Sequence, residues 1–202
     1  MKPTTVQPSN ISTQTPYEKL NPETILTALE SVGLSPNGGL LALNSYENRV
    51  YQVELEDGSF LISKFYRPNR WTAAAIQEEH AFAFELVDAE ISVVAPLSIN
   101  SESLFKHQDY HFSIYQRQGG HPPNLENEAD LEVLARTIGR IHAVGSRAKF
   151  KHRVELSAQR LGHDSRDYLL NHQFVPADVE TAYATLTEHL LEQISPMLAR
   201  LP

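Results

Sequence analysis

The chain contains no cysteine. Disulfide scaffolds and thiolate metal sites are therefore excluded, and nothing suggests secretion. No apolar run approaches the length of a membrane span. The opening MKPTTVQPSNISTQTP lacks the apolar centre of a signal peptide. Basic charge is scarce: 17 Lys and Arg stand against 25 Asp and Glu, for a formal charge of −8. Nucleic-acid grooves and anionic membrane surfaces both need clustered cations, and no basic run stands out. One nucleotide held by a few placed cations stays compatible with this balance. The expectation is a cytoplasmic protein with no nucleic-acid and no membrane partner.

What is present is enough to fold. The chain has 202 residues, 41% of them hydrophobic, which allows one or two domains with a sizeable core. Residues 1–19 are rich in Pro, Thr, Ser, Gln and Asn and read as a disordered tail. At NPETILTALESVG, Asn21 suits a helix cap, Pro22 the first helical position and Gly33 the stop. GLLALNSY and NRVYQVEL then read as short strands, and Asp57-Gly58 supplies a hairpin turn.

The next strand, FLISKFYRPNRW, poses a problem. Alternation puts Phe60, Ile62, Lys64 and Tyr66 on one face, so Lys64 is expected on the core face, where it needs a negative partner. The helix that follows, with Thr72 as cap and Trp71 stapled onto Ile76, offers one. Ile76, Glu79, Ala83 and Leu86 recur at helical spacing, which places Glu79 on the sheet-facing stripe and Glu78 elsewhere. A strand lysine paired with a helix glutamate can aim an ammonium at a phosphate, as in protein kinases. The bland alternative is a snorkelling lysine and a solvated glutamate.

Two more strands fit ESLFKH and YHFSIYQ, turning at Gln108-Asp109. The order is three strands, a helix and two strands. RQGGHPPN, 117–124, then marks a linker, and the rest reads as helices. Leu131, Leu134, Ile138 and Ile141 form one stripe; a shorter helix fits SRDYLLNH; a longer one runs over 177–198, with Pro196 kinking or ending it. Nine histidines are present, but none forms a helical pair with an acidic third ligand, so no protein metal site is expected.

LNSYENRVYQV, KFYRPNRWT, IQEEHAFAFELV and VAPL resemble the bacterial stress response kinases, the RdoA/YihE-type serine/threonine protein kinases of the aminoglycoside phosphotransferase and choline kinase superfamily. The resemblance implies an α+β, protein-kinase-like fold. Its nucleotide-binding lobe, 20–116, would be a five-stranded antiparallel sheet with one core helix. The hinge would be 117–124, and 125–202 the first helices of an incomplete second lobe. By the same resemblance Ser45 sits at the ATP phosphates, Lys64 binds phosphate and Glu79 is its partner. Tyr115, Gln116 and Gln118 belong to the hinge that holds adenine. Val50 and Ile62 read equally as adenine walls and as core. ATP and Mg2+ are the implied cofactors, and a protein bearing Ser or Thr the implied acceptor.

The departures are as informative. The turn 44–48, NSYEN, has no glycine where a phosphate-covering loop usually does. The family's His-Gly-Asp loop, its Asn and its later metal-binding Asp are not found. HRVE at His152 has Val154 in place of Asp, and GHD at 162–164 has its letters in the wrong order. The expectation is a front portion of a kinase, with base and metal ligands beyond Pro202 and no activity by itself. A small-molecule kinase of the same fold and a non-catalytic nucleotide-binding fragment are the alternatives.

Overall fold

A computed structural model of the chain describes residues 16–200. The tail read over 1–19 lies outside them up to residue 15. Its last residues differ from that reading: Pro16–Lys19 form a turn, the Tyr17 hydroxyl donates to the Glu47 carbonyl at 2.7 Å, and its ring stacks on Tyr110. Burial is the main cause that raises the Tyr17 pKa to about 12. An aromatic with a partner for both ring and hydroxyl is a reason for order that composition does not reveal.

Local signals set the element ends. Helix α1, Pro22–Glu30, is capped by Asn21, whose side chain accepts from the Thr24 N–H at 2.8 Å. It ends three residues before Gly33, which takes the left-handed conformation at φ 88°. Strands β1 (Pro36–Leu43), β2 (Arg49–Leu55) and β3 (Phe60–Phe65) form an antiparallel meander. Gly58, at φ 79°, makes the turn between β2 and β3. Helix α2, Ala73–Asp88, starts at Thr72, whose hydroxyl accepts from the Ala75 N–H. Strands β4 (Phe105–His107) and β5 (Tyr110–Gln116) close the sheet in the order β1-β2-β3-β5-β4. The fold is thus the α+β arrangement that the resemblance implies, with a five-stranded antiparallel sheet and one helix between β3 and β4.

The two sheet faces are not equivalent. Leu61, Ser63 and Phe65 point to the face packed by α1, together with Val53, Phe112 and Ile114. Phe65 and Phe112 face each other across the strands and are fully buried, with ring centroids 5.3 Å apart. This is the main core, and Lys64 is not on it. The expectation that Lys64 lies on the core face is corrected: its side points to α2, and its side chain keeps 22% exposure. Both faces carry apolar residues, so alternation alone does not say which receives the deeper cover.

The chain divides into two compact units, one reaching to Val144 and one beginning at Gly145. Helix α3, Glu128–Gly145, closes the first: Ile141 and Val144 pack with Leu86 and Ile91, and Arg140 donates to the carbonyls of Ala89 and Glu90. The linker residues 117–124 carry no helix or strand. In the second unit a π-helical stretch, Gln159–His163, leads into α4 (Asp164–Asn171), and α5 spans Glu180–Leu198 with Pro196 in its last turn. Gly162 abuts Leu191, the buried residue of α5; a methyl group at 162 would overlap that side chain.

Candidate functional site

Lys64 is held by register. It lies opposite Val50 on β2 and Ser113 on β5, so all three side chains share the α2-facing side. Its Nζ lies 3.3 Å from Glu79 Oε1, with side-chain exposures of 22% and 38%. It also lies 4.6 Å from the centroid of the Tyr66 ring. The expected strand–helix pairing is therefore formed. Such a half-exposed pair contributes at most about 1 kcal/mol to stability. Its effect is on direction: the ammonium is fixed beside a sheet face instead of wandering in solvent.

That face carries an apolar shelf. Val50 and Ile62 lie on it, both half-buried. Leu41 and Leu43, partnered with Gln52 and Val50, extend it and are 56% and 37% exposed. Sequence reasoning placed these leucines in a strand without assigning them to the site. Their two-residue spacing in GLLAL was the available signal.

Behind Lys64 lies a polar network that the sequence did not announce. His80, one turn after Ile76, is 2% exposed. Its Nε2 is 2.9 Å from the Tyr66 hydroxyl and 3.3 Å from Ser113 Oγ, while Nδ1 is 2.9 Å from Ser103 Oγ. The Tyr66 hydroxyl also meets that of Tyr115 at 3.3 Å. Desolvation lowers the His80 pKa to about 4; Glu79 opposes the shift and Lys64 adds to it. The imidazole is neutral at pH 7, with one ring nitrogen donating and the other accepting. Burial likewise raises the pKa of Tyr66 and Tyr115. The network fixes the ring against which Lys64 rests.

The remaining expected residues are more exposed. Ser45 is half-buried in the turn 44–48, and its hydroxyl donates to the Asn48 carbonyl at 2.7 Å. That turn is clamped from outside. Glu47 Oε1 accepts from Arg70 Nε and from Trp71 Nε1, both at 3.0 Å, and Asn48 Oδ1 accepts from the Arg67 N–H. Tyr115 is turned inward by its hydroxyl contact with Tyr66. Gln116, the last residue of β5, and Gln118, just past it, are exposed, with 3.4 Å between Gln118 Nε2 and Gln116 Oε1. Asp164 of the GHD segment opens α4 and accepts from Gln159 Nε2 at 2.8 Å, a local helix contact. Among the described residues no three His, Asp or Glu side chains are grouped to hold a metal ion. No described helix is long and apolar enough to cross a membrane.

This arrangement has counterparts. The model of the phosphotransferase enzyme family matches residues 40–198. The stress response kinase A of Salmonella choleraesuis is 37% identical over 179 residues, covering 89% of this chain and 55% of the relative. The serine/threonine protein kinase RdoA of Salmonella typhimurium matches equally, and the stress response kinase A of Escherichia coli K12 is 36% identical over the same span. The chain thus spans about half the length of these relatives. Among solved structures, the amicoumacin kinase hAmiN in complex with AMP-PNP, Ca2+ and Ami superimposes with a TM-score of 0.64 at 20% identity. That match covers 89% of this chain and 54% of the other, a likeness of fold. A five-stranded sheet with a strand lysine paired to the following helix, over a span matched from residue 40 to residue 198, leads to one assignment: the chain belongs to the phosphotransferase enzyme family.

Proposed function

We propose that residues 20–116 form the nucleotide-binding lobe of an ATP-dependent serine/threonine protein kinase of the bacterial stress response, acting in the cytoplasm. The observation that carries this reading is the Lys64–Glu79 pair set beside the shelf of Leu41, Leu43, Val50 and Ile62. Adenine would lie on the shelf, the backbone of 116–118 would meet its edge, and the Lys64 ammonium would meet the phosphates. Glu79 and the Tyr66 ring keep that ammonium from collapsing elsewhere. The turn 44–48 would cover the phosphates through Ser45 and backbone N–H groups.

Magnesium, when bound in such kinases, neutralises phosphate charge. The described residues group no ligand set for it. Phosphoryl transfer depends on positioning and electrostatics, and this chain supplies the lysine, its partner and the shelf. A protein acceptor is favoured over a small molecule by the relatives named as stress response and serine/threonine kinases at 36–37% identity.

Calorimetric titration of the 202-residue chain with ATP tests the reading. Binding that Lys64→Ala weakens at least tenfold, in a chain that stays folded, supports it. A folded chain whose ATP affinity is indifferent to Lys64→Ala overturns it.

A further inference from the structure

RPNR, 67–70, clamps the turn 44–48 from outside. It forms a tight turn of its own: the Arg70 N–H donates to the Arg67 carbonyl at 3.3 Å, Pro68 stiffens it, and Asn69 sits in the left-handed region at φ 62°. The two arginines thereby face a cavity of about 780 Å³ beyond the end of β3. Lys19 and Lys106 line it as well, against only two carboxylates, Glu18 and Asp109. In a chain of net charge −8, four cations around one cavity are a local reversal of sign.

The charges are not mutually satisfied. Asp109 is engaged by Lys19 at 3.5 Å, and Arg70 by Glu47, which does not line the cavity. Among the described residues, Arg67 and Lys106 have no carboxylate within 4 Å. Arg70 is pinned by Glu47 and by its guanidinium lying 5.0 Å from the Trp71 ring centroid. Two uncompensated cations beside a preorganised arginine match a dianion better than a carboxylate. The volume is that of a small-ligand site, and the half-buried Trp71 offers apolar wall for an organic body, whereas Tyr66 and Tyr110 border the cavity at 3% exposure each.

We propose that this cavity binds a phosphate monoester, carried by a peptide side chain or by a small metabolite, at a place separate from the Lys64–Glu79 pair. Arg67 and Lys106 meet the phosphate, and Trp71 flanks the group that bears it.

The test uses the 202-residue chain at low ionic strength, titrated by calorimetry with O-phosphoserine and with a phosphoserine peptide. Arg67→Gln and Lys106→Gln remove one exposed cation each, so the fold is kept, as circular dichroism will check. Each is expected to weaken both probes roughly tenfold while leaving ATP affinity unchanged. Lys64→Ala is expected to do the opposite, so this proposal and the nucleotide reading fail separately. Tighter binding of the peptide assigns the ester to a protein; equal binding assigns it to a metabolite. Absence of binding by the folded chain overturns the proposal, as does binding unchanged in both glutamine variants or lost in Lys64→Ala alone.

Discussion

The Tyr66 hydroxyl and His80 Nε2 are 2.9 Å apart inside the protein, where the imidazole is 2% exposed. Folding therefore holds His80 neutral, with a pKa lowered to about 4 from 6.5. Between those values the unfolded chain binds the extra proton and the folded chain does not. Stability from this residue is complete above about pH 6.5 and is lost as pH falls toward 4. The size is on the order of 3 kcal/mol. The charged and titratable groups around His80 are Lys64, Glu79 and Tyr66. His80→Gln is expected to destabilise the chain at pH 7 and to flatten the dependence of its denaturation midpoint on pH from 4 to 6.5. A variant with the same acid slope as the parent would show that the slope comes from carboxylates.

Glu79 and Glu78 are adjacent, yet Glu79 is the one whose carboxylate meets Lys64. Glu79→Ala is expected to weaken ATP binding several-fold, and Glu78→Ala much less. Neither should lower stability by more than about 1 kcal/mol, because half-exposed pairs contribute little. Parallel calorimetry on the two variants checks this; equal losses would undo the helix-face argument.

Ser63 sits on the Phe65 face, fully buried, and its hydroxyl has no hydrogen-bond partner among the described residues. Burying an unmatched hydroxyl costs about 1 kcal/mol or more. Ser63→Ala is expected to raise stability by roughly that amount in urea unfolding, with the slope unchanged. A loss of stability would reveal a partner for the hydroxyl.

Gly162 lies against Leu191 with no room for a methyl group. Gly162→Ala gains up to about 1 kcal/mol of helix propensity but must displace the buried side chain, at about 1–3 kcal/mol. The expected net effect is faster amide exchange in α5, with the β3 and β5 amides unchanged. Unchanged exchange in α5 would mean that Leu191 repacks freely.

Much of this was legible in the residues. Asn21, Thr72 and Gly58 marked helix starts and a turn because caps and positive φ have narrow chemical requirements. The Lys64–Glu79 pair followed from two periodicities, one of strand and one of helix. What stayed hidden depends on distant partners. His80 looked ordinary because Tyr66, Ser103 and Ser113 are 14, 23 and 33 residues away. The choice of deeper sheet face went the other way because Phe60, Ile62 and Tyr66 are as apolar as Leu61 and Phe65. The π-helical turn at Gln159–His163 has no propensity signature; its glycine lies against a leucine 29 residues later.

The clamp on the turn 44–48 has a thermodynamic consequence. A glycine-rich flap is loose until its ligand arrives, and much of the binding enthalpy is then offset by the flap's lost freedom. Here Ser45, Glu47 and Asn48 are already tied to their own turn, to Tyr17 and to the RPNRW segment. A nucleotide bound under this turn as proposed would meet a cover whose disorder was surrendered on folding. Its binding entropy should be less unfavourable than under a mobile flap, and a glycine placed at Glu47 should make it more so.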